Sequence, residues 1–176
     1  ETALREAEKF HWEALTKHHG LPVNSNGDIQ KLIIVAMGKM GGYELNPSSD
    51  IDLVFFYEED GATTGKSSIS NQDFFTKLGK LIISSLNDYT DEGIVFRVDM
   101  RLRPFGSQGL LVSPLESFEN YLITHGLDWE RYAWLKSRVV LGPSLIIDAL
   151  IEPFVYRKYL DFNIFESLRN IKKKIS

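Results

Sequence analysis

The chain contains two segments that decide its fold, Leu32-Ile33-Ile34-Val35-Ala36-Met37-Gly38-Lys39-Met40-Gly41-Gly42 and Ser49-Asp50-Ile51-Asp52-Leu53-Val54-Phe55-Phe56-Tyr57. Each segment holds a short run rich in β-branched and aromatic residues, which is typical of a buried strand. We therefore predict strands over 32–36 and 51–57. The glycines after the first strand leave the backbone uncovered, so its amide groups can approach a phosphate closely.

A pair of carboxylates marks the start of the second strand. Asp50 and Asp52 are two positions apart, and alternate residues of a strand point to the same side. Two such charges about 5 Å apart repel by about 3 kcal/mol at an effective dielectric constant of 20. A cation between them would relieve that repulsion, and Mg²⁺ prefers oxygen ligands. An N-cap aspartate beside an unrelated surface aspartate is the structural alternative.

A third carboxylate lies on another predicted strand, over 94–102, where apolar residues alternate with Arg97, Asp99 and Arg101. Arg103 follows two positions later. If the two strands are neighbours, three carboxylates converge on one metal site with arginines beside them. Such acidic groups next to phosphate-binding cations are typical of phosphoryl and nucleotidyl transfer. Pairing of the arginines with acidic neighbours such as Asp99 is the structural alternative.

The remaining pattern predicts an α/β core with helices before and after it. Residues 1–19 have helical spacing up to Gly20, 22–28 form a polar linker, and 58–70 form a mobile loop. Helices are also predicted from Ser70 with an apolar stripe (Phe74, Phe75, Leu78, Leu81, Ile82 and Leu86), from a capping box at 113–116 with Pro114 at the first helical position, and over 128–140, 144–157 and 163–175. A short strand is predicted over 109–112. The domain assignment is an N-terminal helix and linker (1–29), a catalytic core (30–112) and a helical extension packed on the core (113–176).

The segment Gly61-Ala62-Thr63-Thr64-Gly65-Lys66-Ser67 resembles a P-loop but has three residues between its glycines, where the motif requires four. The backbone amides would then fall out of register with a phosphate. Three acidic residues, Glu58-Glu59-Asp60, also precede it and would repel a nucleotide. We therefore interpret the segment as part of a surface loop.

Composition excludes several classes of protein. The 176 residues include 20 Lys and Arg, 24 Asp and Glu and no Cys, giving a net charge of -4. The absence of Cys excludes disulfides and a thiol nucleophile, and the acidic balance argues against nucleic-acid binding. No apolar run is long enough to span a bilayer, so we expect a soluble, cytoplasmic protein with no membrane partner. Because the chain begins at Glu1, we expect it to be a piece of a longer protein.

The longer strings resemble a known family. Gly38-Lys39-Met40-Gly41-Gly42-Tyr43-Glu44-Leu45-Asn46 with Ser49-Asp50-Ile51-Asp52-Leu53, and Phe96-Arg97-Val98-Asp99-Met100-Arg101-Leu102-Arg103-Pro104, are similar to the bifunctional glutamine synthetase adenylyltransferase/adenylyl-removing enzymes. These enzymes belong to the nucleotidyltransferase superfamily that includes DNA polymerase β. The strings 128–136 and 153–162 resemble the N-terminal, adenylyl-removing domain of the family. The resemblance extends over about residues 30 to 165.

This resemblance implies an α/β nucleotidyltransferase fold, similar to that of DNA polymerase β, with a mixed sheet and flanking N-terminal and C-terminal helices. It implies that the cofactor Mg²⁺ is held by three catalytic carboxylates, Asp50, Asp52 and Asp99. It also implies nucleotide or phosphate binding by Gly38, Lys39, Ser49, Arg101 and Arg103. Lys39 departs from the usual Gly-Ser or Gly-Gly pair of the superfamily.

The reaction implied is removal of AMP from an adenylylated tyrosine of glutamine synthetase by phosphorolysis, which releases ADP. Phosphate is already an anion at neutral pH, so Asp99 is expected to act through charge and metal binding rather than as an obligatory base. The implied partners are adenylylated glutamine synthetase, inorganic phosphate, an adenine nucleotide and, through the full-length enzyme, a PII-type signal protein. Two alternatives stay open: adenylyl transfer from ATP to glutamine synthetase, and a non-catalytic module that binds nucleotide or a partner.

Overall fold

The structure, a computed structural model, describes residues 1–46, 49–88 and 95–156. Within these ranges the chain forms six α-helices and seven strands, in the order α1 (Thr2–His19), β1 (Pro22–Asn24), β2 (Ile33–Met37), α2 (Gly38–Gly41), β3 (Ile51–Tyr57), β4 (Gly61–Thr63), α3 (Asn71–Asn87), β5 (Val98–Asp99), β6 (Val112–Pro114), α4 (Leu115–Thr124), α5 (Asp128–Leu135), β7 (Arg138–Leu141) and α6 (Ser144–Val155). A short 3-10 helix, Gly106–Gln108, lies between β5 and β6. The result is an α/β fold with a mixed sheet and flanking helices, as predicted.

The central sheet is built around β2 and β3, the two strands predicted from the opening segments. They pair antiparallel along their length, from Ile33 opposite Phe56 to Met37 opposite Asp52. Strand β7 pairs antiparallel with the other edge of β2. Strands β5 and β6 both pair parallel with β3, β5 near its start and β6 near its end. The strand order β5-β3-β2-β7 therefore combines parallel and antiparallel neighbours.

Both faces of the sheet are covered, which explains why β2 and β3 are almost continuously apolar. Alternate residues of these strands enter two separate hydrophobic clusters: Ile34 and Phe55 enter the first, Val35 and Phe56 the second. Helices α1 and α3 contribute to the first cluster, and α4, α5 and α6 to the second. None of the helices in the described part of the chain is long and apolar enough to cross a membrane.

Two helix boundaries confirm the sequence signals that predicted them. Helix α1 ends at Gly20, whose φ of 83° is the left-handed conformation that glycine adopts without steric cost. Helix α3 begins after Ser70, whose side chain accepts a hydrogen bond from the backbone N–H of Asp73. The apolar stripe of α3 is buried as predicted except at Leu81, which is 38% exposed.

The predicted linker and the predicted mobile loop pair with each other. Strand β1 lies within 22–28 and strand β4 within 58–70, and Pro22 to Asn24 pair antiparallel with Thr63 to Gly61. Sequence reasoning missed this small sheet because each strand has only three residues and little apolar character. The P-loop resemblance is also excluded, since Gly61–Thr63 is a strand.

The predicted strand over 94–102 is shorter than its alternation indicated. Within residues 95–102, which the structure describes, only Val98–Asp99 is a strand, and the chain turns at Arg101 and Leu102. Phe96, Val98 and Met100 contact the first hydrophobic cluster, whereas Leu102 contacts the second. Met100 and Leu102 therefore do not share a face, because the chain passes from one side of the sheet to the other between them. Residues 89–94 lie outside the described residues.

The C-terminal third is not purely helical. The predicted helix over 128–140 ends at Leu135, and β7 follows and joins the central sheet. The strand predicted over 109–112 is displaced to Val112–Pro114, so Pro114 ends β6 and the predicted capping box is wrong. The boundary at 112 therefore does not separate a core from an extension. Helix α6 confirms the helix predicted over 144–157 and contains Pro153, and the helix predicted over 163–175 lies outside the described residues.

Candidate active site

Sheet register brings two of the predicted catalytic carboxylates together. Asp52 of β3 stands opposite Asp99 of β5, and on the other side of β3 it stands opposite Met37 at the end of β2. Paired residues of neighbouring strands lie about 5 Å apart. The two carboxylates were 47 positions apart in sequence, so the parallel pairing of β3 with β5 creates the site.

Asp52 is half-buried and faces the negative charges of the two other carboxylates. Burial raises the pKa of Asp52 above its ordinary value, and the charges of Asp99 and Asp50 raise it further. Arg101 opposes these effects but is the weakest of the four causes. Among the described residues, no hydrogen bond or ion pair is made by the Asp52 carboxylate. A cation at this position would offset the repulsion.

The two other carboxylates each hold an arginine. Asp50 is 2.6 Å from Arg97 Nε in an exposed ion pair. Asp99 accepts hydrogen bonds from Arg101 Nε, at 2.8 Å to Oδ2, and from the backbone N–H of Arg101, at 2.8 Å to Oδ1. These bonds to Arg101 lower the pKa of Asp99. Asp99 is therefore a carboxylate at neutral pH, and its arginine is 80% exposed at the side chain and open to an incoming anion.

The glycine-rich segment contacts the carboxylates directly. Gly38 has a φ of 55°, and a Cβ atom on it would lie 3.0 Å from Asp52 Oδ2. A side chain at this position would therefore be strained by the backbone and would press on the carboxylate. Lys39, the next residue, donates from Nζ to Ser49 Oγ at 3.3 Å. The predicted phosphate-binding residues Gly38, Lys39 and Ser49 thus lie on the Asp52 side of the sheet.

Arg103, which the resemblance pairs with Arg101 as a phosphate-binding residue, is placed differently from Arg101. Its guanidinium donates to the carbonyl oxygens of Met100 at 2.7 Å, Ser107 at 3.1 Å and Gly109 at 3.3 Å. The reason is the turn after Asp99, because residues two positions apart point to the same side only in an extended chain. Arg103 still lowers the pKa of Asp99, as the weakest of the five causes.

Two basic residues beside the glycine-rich segment were missed. Lys136 Nζ contacts both carboxylate oxygens of Glu44, at 2.9 and 2.7 Å. Arg138 donates to the carbonyl oxygens of Met40 and Gly41 and forms an ion pair with Glu1. Lys136 and Arg138 are two positions apart, a spacing that puts both side chains on one side of an extended chain. The helix predicted over 128–140 concealed this signal.

The residues at this edge have the chemistry of a magnesium site but do not form a complete one. Within 1–46, 49–88 and 95–156, no three His, Asp or Glu side chains form a group that could hold a metal ion. Asp50 and Asp99 are paired with Arg97 and Arg101. The raised pKa of Asp52 and the oxygen donors nevertheless fit a hard divalent cation. Asp52 and Asp99, with Asp50, would hold it.

A mixed sheet covered by helices, with carboxylates on adjacent strands beside a glycine-rich turn, defines a nucleotidyltransferase-like α/β domain. The family model described as glutamate-ammonia ligase adenylyltransferase matches residues 1–149. The chain belongs to this family.

Relatives with curated descriptions agree with the family match. The chain is 49% identical over 182 aligned residues to the bifunctional glutamine synthetase adenylyltransferase/adenylyl-removing enzyme of Nitrosomonas europaea. The match covers 99% of this chain and 20% of that enzyme. It is 56% identical over 147 residues, 84% of the chain, to the enzyme of the same name from Neisseria meningitidis serogroup B, and the match covers 16% of that enzyme. It is 53% identical over 161 residues, 89% of the chain, to the enzyme of the same name from Psychromonas ingrahamii, and the match covers 17% of that enzyme. The chain therefore spans about a fifth of the length of these relatives.

Proposed function

We propose that this chain is the adenylyl-removing domain of a bifunctional enzyme of this family, and that it removes the adenylyl group from an adenylylated tyrosine of glutamine synthetase by phosphorolysis, which releases ADP. The observation that carries the proposal is the register of Asp52 opposite Asp99, next to the exposed Arg101. Two carboxylates whose repulsion a metal ion would relieve thus lie beside an arginine that can bind a phosphate. Both are needed where one phosphate attacks another.

The bond changes in this reaction balance without an added reactant. An oxygen of hydrogen phosphate forms a bond to the α-phosphorus of the adenylyl group, and the bond from that phosphorus to the tyrosine oxygen breaks. The proton of hydrogen phosphate ends on the released tyrosine oxygen and forms its hydroxyl, so the products are ADP and free tyrosine. The nucleophile is already an anion at neutral pH, so Asp99 need not remove a proton from it.

Each residue of the site has a role that its contacts support. Arg101 is 80% exposed and would bind oxygens of the incoming phosphate with its planar guanidinium. Lys39 and Ser49 would bind the adenylyl phosphate from the side of the glycine-rich turn. Gly38 lets that phosphate approach, because it leaves open the space next to Asp52 that a side chain would occupy.

Mg²⁺ held by Asp52 and Asp99, with Asp50, would neutralise phosphate charge in the transition state. The carboxylates would supply its oxygen ligands from the neighbouring strands β3 and β5. Arg97 competes for Asp50 and Arg101 for Asp99, so binding the cation and the phosphate requires these ion pairs to rearrange.

The partners follow from the relatives' names and the chemistry. The relatives are named as enzymes that act on glutamine synthetase, so we propose the adenylylated form of that enzyme as the protein substrate. Inorganic phosphate and an adenine nucleotide are the proposed small-molecule partners. Control by a PII-type signal protein, through the full-length enzyme, and a cytoplasmic location belong to the same proposal.

The test is to incubate the chain with adenylylated glutamine synthetase, inorganic phosphate and Mg²⁺ and to measure ADP. A parallel incubation contains unmodified glutamine synthetase and α-labelled ATP. The Asp52→Asn variant is the matched control in both, because it removes one charge at the centre of the site and keeps the side-chain shape.

We expect phosphate-dependent ADP release that is lost in Asp52→Asn. Label incorporated into unmodified glutamine synthetase, without ADP release in the first incubation, would instead support adenylyl transfer, the other activity in the relatives' names. Binding of ADP without turnover in either direction would support the regulatory alternative. Both of these results contradict the proposal.

A further inference from the structure

Arg97, Arg101 and Arg103 lie beside the candidate site, but their guanidinium groups are used differently. Arg103 donates to three carbonyl oxygens of its own turn. Arg101 pairs with Asp99, and its side chain is 80% exposed. Arg97 pairs with Asp50, with Nε 2.6 Å from Oδ1, and its side chain is 66% exposed. Arg97 thus resembles Arg101 in pairing and exposure, and Arg103 does not.

The backbone of Arg97 is tied to the start of β3. Its carbonyl oxygen accepts a hydrogen bond from the backbone N–H of Ile51 at 2.9 Å. The next residue along, Val98, is the register partner of Ile51 in the parallel pairing of β5 with β3. Arg97 therefore stands beside Asp50, one step before the two strands pair.

The alternation of side chains puts Arg97 on the face of the sheet that carries the carboxylates. Every second residue along both chain segments belongs to or contacts the first hydrophobic cluster: Phe96, Val98, Met100, Ile51 and Leu53. Side chains between these positions point to the opposite face, which is where Arg97, Asp99 and Asp52 lie. Successive side chains on one face are about 7 Å apart along a strand. The long side chain of Arg97 can therefore reach a ligand held between Asp52 and Asp99.

The two exposed arginines approach the carboxylates from opposite ends. Arg97 contacts Asp50 before β3 begins, and Arg101 contacts Asp99 at the end of β5. A planar guanidinium binds two oxygens of a phosphate at once. Two such groups on either side of the carboxylates can therefore hold one phosphate in a fixed orientation, whereas a single arginine leaves it free to turn.

We propose that Arg97 is a second binding residue for the incoming phosphate and that it couples phosphate binding to metal binding. Without the metal, its guanidinium neutralises Asp50. When the Asp50 carboxylate becomes an oxygen ligand of Mg²⁺, Arg97 is released beside the site where the phosphate arrives. A phosphate that takes Arg97 in turn frees Asp50 for the metal, so each ligand raises the affinity for the other. This inference rests on the proposed function, because it names a further residue for the phosphate of that reaction.

The test measures by calorimetry how tightly the 176-residue chain binds Mg²⁺ and inorganic phosphate, in wild type and in Arg97→Ala. Without phosphate, we expect Arg97→Ala to bind Mg²⁺ about threefold more tightly, because the guanidinium no longer competes for Asp50; the size is that of an exposed ion pair. With Mg²⁺ present, we expect its affinity for phosphate to fall at least about tenfold, the loss of hydrogen bonds to a charged group.

Lys80→Ala is the matched control. Lys80 is exposed on helix α3, which packs against the first hydrophobic cluster, so this variant removes one positive charge from the face opposite the carboxylates. We expect it to keep wild-type affinity for both ligands. Both variants should unfold within about 4 °C of the wild-type midpoint, because an exposed ion pair contributes about 1 kcal/mol or less to stability.

The possible results separate this inference from the proposed function. If Arg97→Ala binds phosphate as well as wild type does, or binds Mg²⁺ more weakly, the role of Arg97 is wrong, and ADP release by the wild-type chain still supports the proposed function. If Lys80→Ala weakens phosphate binding as much as Arg97→Ala does, the effect comes from net charge and the role is also wrong. If wild type binds neither Mg²⁺ nor phosphate, the proposed function fails together with the role of Arg97.

Discussion

The two ends of strand β3 place polar side chains in opposite environments. At its start, Asp52 is half-buried among the charges of Asp99 and Asp50, and its pKa is raised by burial and by both of them. At its end, the fully buried Tyr57 places its hydroxyl 2.5 Å from Asp60 Oδ1 and 3.0 Å from Gln72 Oε1. One end concentrates repelling charge, and the other pairs a polar group with acceptors.

This difference separates function from stability within a single strand. A buried polar group with its hydrogen bonds made supports the fold, whereas like charges facing each other cost stability and persist where they bind something. We therefore expect substitutions at the start of β3 to change activity more than stability. Substitutions at its end should do the reverse.

The largest effect is expected for Asp52→Asn. The change removes the central charge of the site, so we expect turnover in the phosphorolysis assay to be abolished, while the thermal midpoint without Mg²⁺ stays the same or rises. Asp50→Asn is expected to abolish turnover as well, because Asp50 belongs to the same proposed cation site. Full activity in either variant would show that the carboxylates at this end of β3 do not hold a catalytic cation.

A smaller effect is expected for Arg101→Lys, with Arg103→Lys as its matched partner. Lysine keeps the charge of Arg101 but loses its planar fork, so kcat/KM for phosphate should fall by at least about tenfold at unchanged stability. Arg103 uses its fork on three carbonyl groups of its own turn. Arg103→Lys should therefore lower the thermal midpoint and alter phosphate kinetics little, and the reverse pattern would contradict the roles that we assign to the two arginines.

At the other end of the strand, Tyr57→Phe is expected to lower stability without lowering activity. The variant removes the hydroxyl shared by Asp60 and Gln72, a loss of about 1 kcal/mol. For a chain of this size that lowers the thermal midpoint by about 2–4 °C. Differential scanning calorimetry and the phosphorolysis assay measure the two quantities, and a loss of activity at unchanged stability would remove the contrast between the two ends.

The smallest effect is a pH dependence of opposite sign at Asp52 and Asp99. The pKa of Asp52 is raised in the folded protein, so its carboxyl stabilises the fold while protonated, and that stability is lost as pH rises through the folded pKa. The pKa of Asp99 is lowered, so its carboxylate stabilises the fold above its ordinary pKa, and that stability is lost as pH falls.

These directions are tested by urea unfolding without Mg²⁺ at several pH values. Relative to wild type, Asp52→Asn should gain stability as pH rises from about 4 to 7, whereas Asp99→Asn should be less stable than wild type at pH 7. Differences from wild type that do not change with pH would contradict the assigned charge interactions.

Much of the fold was predictable because local patterns coincide with tertiary burial. Strand β3 matches its prediction at both ends, and helix α3 begins at the predicted Ser70 cap. The strand predicted over 94–102 is too long, because the alternation of apolar and polar residues does not indicate where the chain turns. Strand β7 was missed because Arg138-Val139-Val140-Leu141 follows a helix with only two residues between them, and a continuous helix fitted the pattern equally well.

The sequence by itself determined the residue types of the site: carboxylates two positions apart at the start of a strand, a third among arginines, and glycines where a backbone must come close. Only the tertiary structure decided how they are used. The parallel pairing of β5 with β3 places Asp99 beside Asp52, and the turn after Asp99 leaves Arg101 open while Arg103 is bound to its own backbone. Strand β7 brings Arg138 under Tyr43 from 95 positions away. The physical reason is that charge repulsion, desolvation and ring stacking act over a few ångströms in space, whatever the separation along the chain.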